Sequence, residues 1–546
     1  MKAIVQTAES PGLWDYLIVT AANDRQAAAY EDQIRIRRET GLLPQVRDCL
    51  VIPDLDGRRI GSGGSTIRCL AEVLDRESQP GGDPGDVRQA EAILARLRIL
   101  IVHAGGDSRR LPAYSLCGKI FIPLPDAARP SSGGTLFDRL VPAFLALPAG
   151  ARGAGQVVIA AGDALIRFDP SAVAFPGSGI TALGAAASPA DAARHGVLCP
   201  NPDGSVRIYL QKPDVRTQAE SGAIGADGRS VLDVGIMSLD ASSAAALLRA
   251  FRNPPARAAM LSHGIDLYRE ICCALGTDAT LAHYLKTARS SRSSLGEAAL
   301  ESLFAELRPI PFHVRRLAQC SFLHFGSSRQ LISSGLELVT EDLGAPPPDT
   351  ILDINNEAQG DGAIAGHEVW VEGCRLRAPL RLQRRSVIVG VDVLDPLDLP
   401  AGACLDVSEG SSREGGKVWF IRCCGVDDTF KRSLSENATF CGRPLAEWLL
   451  AAGAPPSSIW DNETPEKERT LWNARLFPAE EECGDFRRWL WMFDAASATP
   501  EQKIGFRSAE RYSSAEIAVR ADHAAFHARR TALRAAGDPP TNHDRQ

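Results

Sequence analysis

Apolar residues first run together from Trp14 to Thr20, with the length and β-rich composition of a buried strand. Asn23-Asp24 then caps an Ala-, Arg- and Glu-rich helix that reaches about Glu39. Strand-like runs recur at 99–102, 156–161, 179–187, 205–210 and 231–239, separated by helix-length or turn-rich segments. That alternation predicts an α/β sheet with crossover connections. A Gly/Pro-rich loop interrupts it at 78–86, and the Ala-, Leu- and charge-rich stretch 241–310 predicts helices that close the domain.

The pattern changes after Pro311. Ile364, Trp370, Leu376, Leu382, Ile388 and Leu394 place an apolar residue at every sixth position. A six-residue step is one side of a parallel β-helix, each side sending one residue into a shared core. From about Cys441 tryptophans and short helical patterns return, and 515–536 reads as an Ala/Arg helix before a tail. Three domains are therefore expected: 1–315, 316–440 and 441–546.

Composition narrows the function classes. At 546 residues the chain exceeds one typical core, and 45% hydrophobic with 23% charged residues is ordinary for a globular protein. A formal charge of −7 does not favour nucleic acid as a partner, so any anion site must be local. No apolar run approaches the length of a membrane span, and the N-terminus lacks the apolar core of a signal peptide. Thirteen scattered cysteines with no Cys-x-x-Cys argue against a zinc cage or a disulfide framework. Reduced thiols in a cytoplasmic protein are the expectation.

The chemistry concentrates in residues 99–125. The apolar run from Ile99 to Val102 stops at Gly105-Gly106, followed by Asp107, Ser108, Arg109, Arg110 and Pro112, and Lys119 returns before a second apolar run. A buried strand feeding a glycine turn exposes backbone N–H groups at the carboxyl edge of the sheet, where open α/β sheets bind ligands. Glycine lets a polyphosphate approach, and Arg109, Arg110 and Lys119 add three cations. The lysine lies too far from the glycines for a P-loop, and the G-x-G-x-x-G spacing of a dinucleotide fingerprint is absent. A second glycine-rich element, Gly61-Ser62-Gly63-Gly64-Ser65-Thr66, precedes a helix and is another candidate anion nest. Gly162-Asp163 ends a second buried strand and offers one carboxylate at the sheet edge for Mg²⁺.

The wording His-Ala-Gly-Gly-Asp-Ser-Arg-Arg-Leu-Pro through Cys-Gly-Lys-Ile-Phe (103–121) resembles the fucose-1-phosphate guanylyltransferase family of sugar nucleotidyltransferases. The resemblance extends over roughly 14–517, through Phe322-Leu-His-Phe-Gly-Ser-Ser, Thr470 to Pro478 and Arg511 to Ile517. It implies a Rossmann-like, GT-A-like catalytic domain followed by a parallel β-helix-like domain. It implies GTP and a sugar 1-phosphate as substrates, GDP-L-fucose and pyrophosphate as products, and Mg²⁺ as cofactor. Arg109, Arg110 and Lys119 take catalytic roles under it, and Gly61 to Thr66 with Gly105 to Ser108 take the nucleotide. Tyr209-Leu-Gln-Lys212-Pro213 is similar to the family's Glu-Lys-Pro, whose lysine meets the sugar phosphate, although Gln211 stands where the glutamate would be. Asp233 and Gly235 fall where relatives touch the sugar. Asp233, Asp240 and Asp266 are the candidates for a second metal carboxylate, with Asp266 chosen. His324 is expected to be a packed histidine without catalytic work. No loop of the sugar-kinase type seen in bifunctional relatives occurs, so a separate kinase is expected upstream. The rival readings are the same chemistry on another sugar or nucleotide, and a non-catalytic nucleotide-binding paralogue.

Overall fold

The structure, a computed structural model, describes residues 13–78, 87–126, 134–150, 154–252, 254–347 and 349–537. The expected loop at 78–86, apart from Ser78, and the tail beyond Gly537 lie outside the described residues. The chain is a mixed α/β protein of two compact units. Unit 1 holds Met1–Gly106, Leu140–Gly162 and Ile166–Phe322; unit 2 holds Asp107–Arg139, Asp163–Leu165 and Leu323–Gln546.

Unit 1 is built on one sheet. Its strands are β1 (Trp14–Ala21), β2 (Val46–Pro53), β3 (Arg98–His103), β4 (Gln156–Ala161), β5 (Ile180–Ala187), β6 (Gly196–Pro200), β7 (Val206–Gln211), β8 (Ser230–Leu239) and β9 (Phe312–Arg316). The order is β9-β5-β8-β4-β3-β1-β2, with β6 joining β7 to β8. Strands β2, β1, β3 and β4 are mutually parallel, whereas β8 runs antiparallel to both β4 and β5. Parallel strands covered on both faces need no polar alternation, which is why Ile99 to Val102 reads as an unbroken apolar run and is fully buried. Helix α1 (Asp24–Glu39) starts where expected, the Asn23 side chain accepting from the Gln26 N–H. Strands β2, β6 and β9 were not anticipated. β2 has only scattered apolar positions, and β6 and β9 are short runs whose pairing is decided by distant partners.

Unit 2 contains three parallel strand stacks. Ile351–Ile354, Val369–Glu372, Val387–Val389 and Ala403–Ser411 form one; Glu357–Ala358, Arg375–Leu376 and Asp392–Val393 the second; Ile364–Ala365, Leu380–Leu382 and Leu397–Leu399 the third. Leu352 pairs with Trp370 and Trp370 with Val387, offsets of 18 and 17 residues. Trp370, Leu376, Leu382 and Ile388 are buried as the six-residue step requires. Two positions depart from it. Ile364 is half-buried, and Leu394 is 61% exposed. From Ile388 the inward step is five residues, so Val393 pairs with Leu376 and takes the buried place. A one-residue slip turns the next side chain outward. Leu382→Ala is expected to destabilise unit 2 by about 2–5 kcal/mol, since the side chain is buried and its cavity collapses only partly. Chemical denaturation measures this, and an unchanged midpoint would place Leu382 outside the core.

The sequence division at residue 315 also differs from the structure. Residues 107–139 follow β3 in the chain but belong to unit 2. The reason lies in Tyr114, whose hydroxyl accepts from Trp370 Nε1 (2.8 Å) and donates to Glu372 Oε2 (3.2 Å). Glu372, fully buried, also takes Arg530 Nη2 at 2.5 Å. A buried carboxylate without such partners costs several kcal/mol, so the network holds the loop, the stacked strands and the C-terminal helix together. That helix, His523–Gly537, is separated from Ser514–Arg520 by Ala521, which bridges Gly410; the single helix expected over 515–536 is therefore two.

Candidate active site

In unit 1 the carboxyl ends of the parallel strands gather the first group of residues. The N–H groups of Ala104 and Gly105 donate to Thr20 Oγ1 at 3.1 and 3.3 Å, which fastens the turn after β3 to the end of β1. The two glycines serve different needs. A Cβ on Gly105 would stand 3.3 Å from the Ala21 backbone, and Gly106 has φ +123°, open only to glycine.

The second glycine-rich element opens helix α2 (Gly61–Glu77). The N–H groups of Gly63 and Gly64 donate to the Ile265 carbonyl at 2.8 and 3.3 Å, and a Cβ on Gly61 would lie 2.3 Å from that oxygen. Ser62 Oγ accepts from the Leu267 N–H, Ser65 donates to Asp54, and the Thr66 hydroxyl donates to the Ser62 carbonyl. This corrects the expected anion nest: the Gly63 and Gly64 amides are spent on Ile265, and the glycines admit close packing of residues 265–267.

Sequence reasoning missed His103. Its Nε2 lies 3.0 Å from Thr66 Oγ1. The Thr66 proton already goes to the Ser62 carbonyl, so Nε2 carries a hydrogen and Nδ1 is the acceptor. Burial lowers the imidazole to about 4, against a smaller opposing pull from Asp266, so the ring is neutral. The only signal in the sequence is its place, last in a buried strand before the glycine pair.

Asp266 Oδ1 accepts from the N–H groups of Tyr268 and Arg269 at 3.0 and 2.9 Å and so caps the following turn. Gly235, at φ +78°, leaves room for Ala161 and the Tyr268 hydroxyl. Asp233 is buried, accepting from Tyr209 Oη (2.9 Å) and the Gly235 N–H (2.8 Å). Asp240 caps the next helix, accepting from the Ser243 N–H. Lys212, exposed at the end of β7, has φ +48°, a strained conformation for a lysine. Beside it the buried Gln211 Oε1 has no hydrogen-bond partner among the described residues.

Burial raises the Asp233 carboxyl to about 6, with the Gly235 N–H and then the Tyr209 hydroxyl pulling it down. Its folded value exceeds the unfolded one, so its stabilising contribution is complete below about pH 4 and is lost as pH rises through 6. Asp233→Asn is expected to flatten the fall in Tm across that window. Parallel Tm–pH curves for the two proteins would show that Asp233 is ionised throughout.

The second group lies in unit 2. Arg109 pairs with Asp107 at 2.8 Å, and its guanidinium stands 5.8 Å from the Trp472 ring. Ser108 is buried with φ +52°. Arg110 is exposed and makes no ion pair among the described residues. Ile120 and Phe121 are buried, Phe121 stacking on Phe137 at 5.3 Å, which leaves Lys119 of the same short turn free to reach Asp163 Oδ2 at 3.2 Å. Loss of water raises the Asp163 carboxyl; Lys119, then His324 and Arg110, outweigh that and hold it below its usual value. Three cationic side chains and one ionised carboxylate can grip a polyphosphate and a hard dication. Among the described residues no cluster of three or more His, Cys, Asp or Glu is placed to hold a metal. Mg²⁺ asks for less, since one or two carboxylates and the substrate phosphates suffice. The ionised Asp163 fits that demand.

A glycine turn after a buried strand, three cations that follow it in sequence and one ionised carboxylate are the groups with chemistry suited to a polyphosphate. The chain belongs to the fucose pyrophosphorylase domain family, whose model matches residues 91–482. The glycine turn, Asp163, Lys212 and Asp266 fall inside that stretch, and Gly61 to Thr66 outside it. The chain is 27% identical to the bifunctional fucokinase/GDP-fucose pyrophosphorylase of Arabidopsis thaliana, over 92% of this chain and 50% of that one. It is 26% identical to the L-fucokinase/L-fucose-1-P guanylyltransferase of Bacteroides fragilis, over 89% and 48%. To the fucose-1-phosphate guanylyltransferase of Homo sapiens it is 24% identical, over 85% and 81%. The chain spans about half the length of the two bifunctional relatives.

Proposed function

We propose that the protein joins GTP and L-fucose 1-phosphate into GDP-L-fucose with release of pyrophosphate. The convergence of Arg110 and Lys119, from the turn after β3, with the ionised Asp163, from the end of β4, carries the reading, and the family membership supports its choice of substrates. A phosphate oxygen of the sugar 1-phosphate attacks the α-phosphorus in line, and pyrophosphate leaves. Nucleophile and leaving group both come from the substrates, so the chain supplies positioning and charge neutralisation. Gly105 and Gly106 let the triphosphate approach the end of β3. Arg110 and Lys119 oppose the negative charge that grows on the leaving phosphates, while Arg109 is partly neutralised by Asp107. Lys212, exposed at the end of β7, meets the sugar phosphate. Asp163 would hold Mg²⁺, which when bound neutralises the phosphates and polarises the α-phosphoryl group; Asp266 is the second candidate.

In the same reading the sheet of unit 1 is the Rossmann-like, GT-A-like catalytic fold and the three strand stacks are a parallel β-helix-like domain. The thirteen cysteines are all free thiols, which suits a reducing, cytoplasmic setting, and no described helix is long and apolar enough to cross a membrane. A sugar kinase supplies the 1-phosphate. The test is product analysis with GTP, ATP, CTP and UTP crossed with fucose, mannose and glucose 1-phosphates. GDP-fucose and stoichiometric pyrophosphate are expected from one pair. A different preferred pair would move the assignment to another sugar or base, and no pyrophosphate from any pair would leave a binding paralogue.

A further inference from the structure

The segment Phe322-Leu-His-Phe-Gly-Ser-Ser has no task in the scheme above, yet part of it lies among the cations of unit 2. The Ser328 N–H donates to the Arg110 carbonyl at 3.2 Å, which fastens two stretches more than two hundred residues apart. His324 is near enough for its charge to act on Asp163. Gly326 is the informative position. Its φ lies outside the left-handed region, so the backbone does not require glycine there. Crowding does not require it either. A Cβ would meet Gln330 Oε1 at 3.2 Å, Arg110 Nη2 at 3.6 Å and Lys119 Nζ at 4.0 Å, all ends of flexible side chains. What the missing side chain does is leave bare backbone facing two cations at once.

We propose that Gly326 is a wall of the phosphate seat, with a phosphoryl group of the triphosphate or of the released pyrophosphate lying against its Cα between Arg110 and Lys119. Two like charges directed at one small volume repel each other, and an anion between them removes that cost. Asp163 pairs directly with Lys119 alone, at 3.2 Å, and acts on Arg110 only through the longer-range attraction of their charges. Arg110 therefore has capacity for a phosphoryl oxygen, and a guanidinium takes one in a charge-assisted hydrogen bond. The inference rests on the functional reading for its ligand class, but the seat itself is defined by geometry within unit 2.

The experiment is calorimetric titration of the full-length protein with inorganic tripolyphosphate and pyrophosphate, in wild type, Gly326→Asn and Gly326→Asp. The two side chains are nearly isosteric, and an ordinary φ accepts both. The Asp carboxylate occupies the seat as an internal anion, so binding should weaken by about thirtyfold or more, roughly 2 kcal/mol. The neutral Asn should cost about fivefold or less. Tm should not fall in the Asp variant, because its carboxylate pairs with the two cations. Wild-type affinity in Gly326→Asp overturns the proposal, as does an equal loss in both variants accompanied by a lower Tm. Product analysis separates this from the function. If wild type binds tripolyphosphate and Gly326→Asp does not, while no GDP-fucose forms, the functional reading fails and the seat stands. If GDP-fucose forms and Gly326→Asp turns over at the wild-type rate, the function stands and the seat is refuted.

Discussion

Lys119→Ala is expected to lower kcat by about a hundred- to a thousandfold, with the KM for the sugar 1-phosphate nearly unchanged. Loss of one preorganised donor to developing charge costs about 3–4 kcal/mol in the transition state. The Lys119 side chain is only 20% exposed and is already oriented by Asp163, so its ammonium needs little reorganisation during the reaction. Negative charge accumulates on the pyrophosphate mainly as the bond to the α-phosphorus breaks, so the loss falls on kcat rather than on ground-state binding. Arg110→Ala should behave similarly. Arg109→Ala should cost clearly less, since Asp107 already balances that charge at 2.8 Å. Steady-state kinetics on the three variants decide the order. Near wild-type turnover in Lys119→Ala would remove the loop from the catalytic assignment.

Asp163→Asn should collapse activity at low Mg²⁺ and recover part of it at high Mg²⁺ or with Mn²⁺. Asparagine keeps the size and one acceptor oxygen but lacks the charge a hard dication prefers. Lys119, His324 and Arg110 hold the wild-type carboxyl ionised, so the full charge is present for a metal at neutral pH. The same cations would be left less balanced in the variant, and metal-free triphosphate should bind it at least as tightly as wild type. Thermal shift with GTP, with and without Mg²⁺, gives a readout independent of turnover. If the Mg²⁺ dependence is the same in both proteins, Asp163 serves only to orient Lys119, and the metal must be sought at Asp266 or Asp107.

Much of the site was legible because it is written in local chemistry. A buried parallel strand must be apolar throughout, and a turn with φ +123° must be glycine, so Ile99 to Gly106 reveals itself one residue at a time. The cations follow within a few residues. Gly61 to Thr66 shows the limit of that logic. The same glycines that suggest an anion nest are required by the Ile265 carbonyl, and a contact across two hundred residues leaves no local trace. The parallel strand stacks of unit 2 show another limit. The six-residue step was visible, but the five-residue step at Val393 moved Leu394 to the surface, and only pairing with Leu376 decides that register.

By itself the sequence determined the α/β class, the glycine turn with its cations, and the candidate carboxylate after β4. These depend on backbone conformation and burial, which short stretches encode through residue size, branching and polarity. Tertiary structure alone decided which charges meet. Lys119 and Asp163 are 44 residues apart, Arg110 and Gly326 farther still, and His103 acquires its tautomer from Thr66 on a separate helix. It also decided that residues 107–139 belong with the strand stacks of unit 2, through Tyr114, Trp370, Glu372 and Arg530. Electrostatic and hydrogen-bond energies depend on distances of a few ångströms, and chain folding, not sequence spacing, sets those distances.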